Sequence, residues 1–160
     1  MKIRRAVPAD LPALQWLSRL NNEFHAKQAP EHFHRVEEVY ADAQWQQLLS
    51  SREHAVFVGE AEGVVLGFAL MQLRHDSGSV QVKAKKIAHL AGIYVDGQAR
   101  GQGMGKGLLQ ACEAWGIEKE ADELGLMVWS FNQAAIRLYE GLGIHELHRQ
   151  MRKPLRTEKL

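Results

Sequence analysis

The spacing of apolar residues divides the chain into a helical first third and a remainder that alternates strands and helices. Ile3 to Val7 reads as a short strand, stopped by Pro8. Leu11, Leu14, Leu17 and Leu20 recur at helical spacing to about Phe24, with Asp10 as N-cap and Pro12 in the first turn. The stretch from Asn22 to His34 has no period. Val39, Ala43, Trp45 and Leu48 then predict a second helix from about Val36 to Leu49. Ala55 to Val58 is a buried strand, Glu60 to Gly63 a hairpin turn, and Val64 to Leu73 a mostly apolar and therefore central strand. His75 to Ser79 turns again, and Val80 to Val95 returns as a strand. A helix from about Met104 to Glu120 buries Leu108, Leu109, Cys112 and Trp115, and Leu124 to Trp129 is a further strand. Asn132 caps a short helix through Glu140, closed by Gly141 and Gly143, and Ile144 to Leu155 alternates loosely as a last strand.

This order predicts an α/β fold (mixed α+β) with a central mixed sheet of about six to seven strands and helices on both faces. A ligand belongs near the strand ends, where neighbouring strands diverge. The 160 residues suffice for one well-filled core, so 1–160 is read as a single domain. Hydrophobic content of 46% with 24% charged residues is that of a soluble globular chain. A net charge of +1 gives no electrostatic case for nucleic acid, and the basic run Lys83, Lys85, Lys86 reads as a solvated strand end. No apolar run approaches a membrane span. Cys112 is the single cysteine, which excludes an internal disulfide, fits a reducing, cytoplasmic compartment and reads as core.

The stretch with the most chemistry lies between the strand ending Ile93-Tyr94-Val95-Asp96 and the following helix. Gly101, Gly103, Gly105 and Gly107 occupy alternate positions there. Glycine permits positive φ and close ligand approach, and amides at a helix start attract an anion, so a phosphate-bearing ligand is expected. The dinucleotide fingerprint fails, because Lys106 and Leu108 stand where its last glycine would fall. The P-loop fails as well, at Arg100 and Gly107. What fits is R-x-x-G-x-G, as Arg100, Gly103 and Gly105.

That hexad resembles the acetyl-CoA pyrophosphate loop of the GNAT superfamily of N-acetyltransferases. The segment Val128 to Ile144, with Asn132, Ala135, Leu138-Tyr139 and Gly143, is similar to the second GNAT motif, and Met151 to Leu155 to a common GNAT ending. The resemblance covers about residues 54 to 155; Ile144 replaces the usual aromatic after Gly143. It implies a splay between two central parallel strands, with 54–155 as cofactor-binding core and 1–53 as acceptor side. It implies that Arg100, Gly101, Gln102, Gly103, Met104, Gly105 and Lys106 present amides to the pyrophosphate. The backbone at Ile93 and Val95 would pair with the pantetheine arm as a further strand. Asn132 and Ala135 would meet the cofactor arm, and Tyr139 would stand beside the thioester sulfur as general acid.

The activity so implied is acetyl transfer from acetyl-CoA to a primary amine by direct attack in a ternary complex. An acyl-CoA-binding module without turnover is the alternative, as is acetylation of a protein amine. The amine must lose a proton, since a lysine-like pKa is about 10. His89, six residues before Val95, is the candidate base, with water as the other. Glu23, Glu31, Glu37 and Glu38 make the irregular 21–40 stretch, expected to line the acceptor side, acidic, which favours a cationic small molecule over a protein N-terminus. A metal site from His25, His32 and His34 matches no standard ligand spacing, and none is expected. A homodimer is possible.

Overall fold

The computed structural model describes residues 1–156. Five strands form one sheet in the order β1 (Lys2–Arg5), β2 (His54–Ala61), β3 (Val64–Asp76), β4 (Lys85–Val95) and β5 (Glu123–Leu126). The first four are antiparallel neighbours, and β4 and β5 run parallel. Helices α1 (Leu11–Gln28) and α2 (Asp42–Ser50) precede β2, and α3 (Met104–Glu118) and α4 (Gln133–Gly141) follow β4 and β5.

Alternation along the strands builds a core on each face. Val56, Val58, Phe68 and Leu70 pack with Leu14 and Leu17 of α1 and Trp45 of α2. Ala55, Phe57, Ala69, Met71, Ala88 and Leu90 pack with Leu108, Leu109, Cys112 and Trp115 of α3 and with Tyr139 of α4. The period of two in β3 thus serves both sides. Close packing continues at the start of α3: a Cβ on Gly59 or Gly67 would lie 2.6 or 2.9 Å from the buried Met104 side chain.

Beyond shifted strand ends, with β4 starting at Lys85 rather than Val80 and β5 ending at Leu126 rather than Trp129, the elements differ from the sequence expectation in three places. Asp10 does not cap α1 with its side chain. Its carboxylate accepts from both terminal Arg4 nitrogens, at 2.7 and 3.0 Å, and from the Val7 amide at 2.8 Å. The second helix begins at Asp42 rather than Val36, because Asn22 of α1 straps the preceding segment down. Its Oδ1 accepts the Val36 amide at 2.9 Å, and its Nδ2 donates to the His34 carbonyl at 3.0 Å.

The third difference changes the sheet. The expected last strand from Ile144 to Leu155 is not formed, so there are five strands rather than six or seven. Leu147, Met151 and Leu155 share their parity with Arg149 and Lys153, so no continuous apolar face exists to bury. All three remain exposed, at 86%, 85% and 91%. Among the described residues the parallel pair therefore lies at the edge of the sheet, with β5 outermost, rather than at its centre.

Candidate active site

Strands β4 and β5 pair only from Ile87↔Glu123 to Leu90↔Leu126. Beyond Leu126 the chain leaves the sheet, while β4 continues to Val95 with β3 on its other side. Residues 91–95 of β4 thus have no strand on one edge among the described residues, where only Arg100 Nε reaches the Val95 carbonyl. A cleft of about 130 Å³ occupies this divergence, lined by Leu90 to Ile93, Leu126 to Trp129, Asn132, Ala135, Tyr139 and, from α1, Asn21 and His25. A larger surface groove of about 430 Å³ lies at Arg5, Phe57 and the outer side of α3, remote from these groups. Divergent parallel strands are where this class of sheet receives ligands, and the smaller cleft is the one with functional side chains.

A β-bulge sets which residues face which side. The partner of Leu70 is Gly92 and that of Met71 is Leu90, so Ala91 is an extra residue. Ala88 and Leu90 face the α3 core, and after the bulge Ile93 and Val95 do so as well. His89 therefore shares the α1 side with Tyr94, opposite Gln72 of β3. It is half-buried but does not line the cleft itself. Burial lowers the His89 pKa from its ordinary value, and the nearby Arg74 charge lowers it further. The imidazole is held neutral, the form that can accept a proton.

Tyr139 approaches the cleft from the α3 side, on α4. Its helix starts with Asn132, whose Oδ1 accepts the Ala135 amide at 3.3 Å, leaving Nδ2 free to donate elsewhere. Tyr139 is 7% exposed, and burial, with Cys112 as the lesser cause, pushes its pKa up to about 12. The phenol stays protonated at neutral pH. Cys112 is buried and its thiol is likewise pushed up to about 12 by burial, so it is a packing residue.

The glycine loop folds between β4 and α3. The Asp96 carboxylate accepts the Gln98 amide at 3.0 Å, and Gln102 Nε2 donates to the Gln98 carbonyl at 3.0 Å. Arg100 Nε donates to the Val95 carbonyl at 3.0 Å, with its guanidinium over the Tyr94 ring. Gly101 and Gly103 take φ of +73° and +85°. Gly103 is the N-cap of α3, and the Gly107 amide bonds to its carbonyl at 2.9 Å. The amides of Met104, Gly105 and Lys106 lie ahead of that first helical bond and are available to an anion. Gly105 has a packing role too, since a Cβ there would press on Leu138 of α4 at 3.1 Å.

Residues 16–144 match the profile of the acetyltransferase (GNAT) family. The chain belongs to that family. It is an acetyl-CoA-dependent N-acetyltransferase by class. An aminoglycoside N(6')-acetyltransferase type 1 of Salmonella typhimurium is 29% identical over 107 residues, 67% of this chain and 73% of the relative. A protein of the same description from Stenotrophomonas maltophilia is 38% identical over 79 residues, 49% of this chain and 51% of the relative. A crystal structure of a Bacillus halodurans protein superposes with a TM-score of 0.91 at 24% identity, over 97% of this chain and 99% of that one. An aminoglycoside N-acetyltransferase crystallised with CoA superposes at 0.74 and 23% identity, over 98% of this chain and all of its own. At these identities the superpositions establish the fold.

Against the needs of a GNAT cofactor, two features suit CoA: the open edge of β4 at 91–95 and the uncapped start of α3. Of the residues singled out in the sequence, Ile93, Asn132, Ala135 and Tyr139 meet in the cleft. Val95 and residues Arg100 to Lys106 continue from the end of the same strand, while His89 lies outside the lining. None of Glu23, Glu31, Glu37 and Glu38 lines the cleft, which corrects the acidic acceptor side. Glu23 binds Arg35 at 3.1 Å, Glu37 binds Arg19 at 3.4 Å, and Glu31 approaches His32 at 3.6 Å. Sequence reasoning missed Asn21, the wall at Leu126 to Trp129, and the contacts of His25 with aromatic rings. The aromatic residues clustered at Phe24 to Phe33 and at Trp129 to Phe131 were the available signal.

Proposed function

We propose that this GNAT enzyme transfers the acetyl group of acetyl-CoA to the primary amine of a small molecule, by direct attack within a ternary complex. The observation that carries the reading is the cleft itself. It opens to the free edge of β4, to the Tyr139 side chain and to the α1 rim at once. Donor, proton source and acceptor entrance thus share one space. The relatives named above are, by their descriptions, acetyltransferases of amino groups on small molecules.

Acetyl-CoA brings an acyl group already activated as a thioester. The chain's part is binding, orientation and proton transfer. Amides of Gly103 to Lys106 hold the pyrophosphate at the start of α3, with Arg100, Gly101 and Gln102 shaping the loop that aims them. Main-chain groups of Ile93 and Val95 pair with the pantetheine arm, and one amide of this edge holds the acetyl oxygen. Asn132 donates from Nδ2 toward the arm beside Ala135. Tyr139 Oη gives a proton to the departing sulfur and, held protonated by burial, is available across the neutral range. Neutral His89 takes the amine's proton, through water since it does not line the cleft.

Mixing the protein with acetyl-CoA and pooled primary amines should release free thiol at a rate proportional to enzyme. Release with no amine in the pool would refute acceptor-dependent transfer, and absence of release with every amine would refute the acceptor class. Two further elements belong to this reading. Its single buried cysteine fits work in the cytoplasm, and a redox-insensitive rate in cell lysate would agree. Exposed Met127, Leu147, Met151 and Leu155 are the apolar side chains a proposed homodimer would bury. A monomer in sedimentation at micromolar concentration would contradict it. Among the described residues no helix is long and apolar enough to cross a membrane.

A further inference from the structure

The α1-side rim of the cleft is built from aromatic rings contributed by three separate segments. Phe24 and His25 come from the end of α1, His32 and Phe33 from the loop after it, and Trp129 and Phe131 from the connection between β5 and α4. Trp129 meets Phe33 edge-on at 5.0 Å, lies 5.1 Å from His32, and stacks on Phe131 at 6.0 Å. His25 closes the set, 5.2 Å from Phe33 and 6.0 Å from Phe131. His25 and Trp129 are the two members that line the cleft. Trp129 keeps 39% of its surface exposed despite these contacts.

Two of the carboxylates near this rim are paired with arginines. Arg19 and Arg35 take up Glu23 and Glu37, and no carboxylate lines the cleft. Within the cleft itself a polycation would find no carboxylate. A ring would find the edge of His25 and the open surface of Trp129, in geometries that aromatic pairs favour.

We infer that the acceptor is an arylalkylamine, an amine on a short alkyl spacer from an aromatic ring, and that Trp129 and Phe33 set this preference. The inference rests on the acetyl transfer to a small amine given above and names its acceptor class. Trp129 supplies the surface on which the substrate ring lies, and Phe33 acts as a positioning residue that fixes the Trp129 indole. The spacer then carries the amine toward the mouth between β4 and β5.

The test compares thiol release from acetyl-CoA with phenethylamine, n-butylamine and spermidine. The expected kcat/KM for phenethylamine exceeds that of the other two by about tenfold or more, each aromatic contact being worth about two- to tenfold. Trp129→Leu and Phe33→Leu should each bring the phenethylamine-to-butylamine ratio down toward one, while Trp129→Phe keeps most of it. Butylamine or spermidine matching phenethylamine in the wild type would overturn the inference and leave acetyl transfer to amines standing. A ratio unmoved by Trp129→Leu would overturn the assignment of the rim. Release with none of the three but with other pooled amines would overturn this inference alone, and absence of release with every amine would overturn the amine reading with it.

Discussion

Replacing Gly103 by alanine isolates the contribution of one backbone conformation to cofactor binding. Gly103 sits at φ +85°, ψ 3°, as the N-cap of α3. A Cβ there would meet nothing nearer than the Met1 Cε, at 4.0 Å, so crowding is not the cost. The cost is the left-handed conformation, about 1–2 kcal/mol for an L-residue. If the loop keeps its shape, this strain comes off stability, and the melting temperature falls by about 2–8 °C for a chain of this size. If the backbone instead relaxes, the amides of Met104 to Lys106 turn off their common target. The same free energy then appears as CoA affinity, a rise in Kd of up to about 25-fold. The two effects share one source, so their sum is the expected quantity. Scanning calorimetry of the free protein and titration calorimetry with CoA measure it. Gly97→Ala is the control, because Gly97 has open space around its Cβ position and no positive φ. Gly103→Ala with both Tm and CoA Kd equal to wild type would refute the reasoning.

The other expectations concern proton transfer and the core. Tyr139→Phe should lower kcat by about 10²–10⁴-fold with CoA affinity nearly unchanged, as loss of a general acid does; lost CoA binding with kcat preserved would make Tyr139 a packing residue. Because burial raises the Tyr139 pKa to about 12, the wild-type rate should show no descending limb from this group between pH 7 and pH 10. His89 has a lowered pKa, so its neutral form persists below 6.5 and the rate should fall only on further acidification. Arg74→Gln removes one cause of that lowering and should move the acid limb to higher pH, whereas an unmoved limb would show that His89 is not the base. Cys112 should not react with Ellman's reagent in the folded protein at pH 8 and should react on unfolding; rapid labelling of the native state would contradict its burial.

Much of the cleft was legible in the sequence because it depends on local chemistry. Alternate glycines after a strand, an Asn at a helix start and a Tyr seven residues later are short-range patterns, and the fold brings Asn132 and Tyr139 into one cleft. What escaped were long-range relations. The Ala91 bulge reverses the facing of half a strand and leaves no mark in the apolar pattern, since Leu90 and Ile93 are apolar in either register. The Ile144 to Leu155 alternation looked like a strand, but charges on the same parity leave it without a face to bury. The acidic stretch before α2 looked like an acceptor surface. Its cationic partners are Arg19, a helical turn before Glu23, and Arg35, twelve residues beyond it, so the neutralisation exists only once the loop folds onto α1.

The central claim is that the cleft passes acetyl directly from acetyl-CoA to an amine, with no stop on the protein. Intact-mass spectrometry after mixing with acetyl-CoA, with and without phenethylamine, tests it most directly when free thiol is followed in the same samples. The expected result is an unmodified protein in both samples, with thiol and acetylated amine formed only when amine is present. A protein that gains one acetyl group in the absence of amine, or that binds acetyl-CoA and releases no thiol with any amine, would contradict the account.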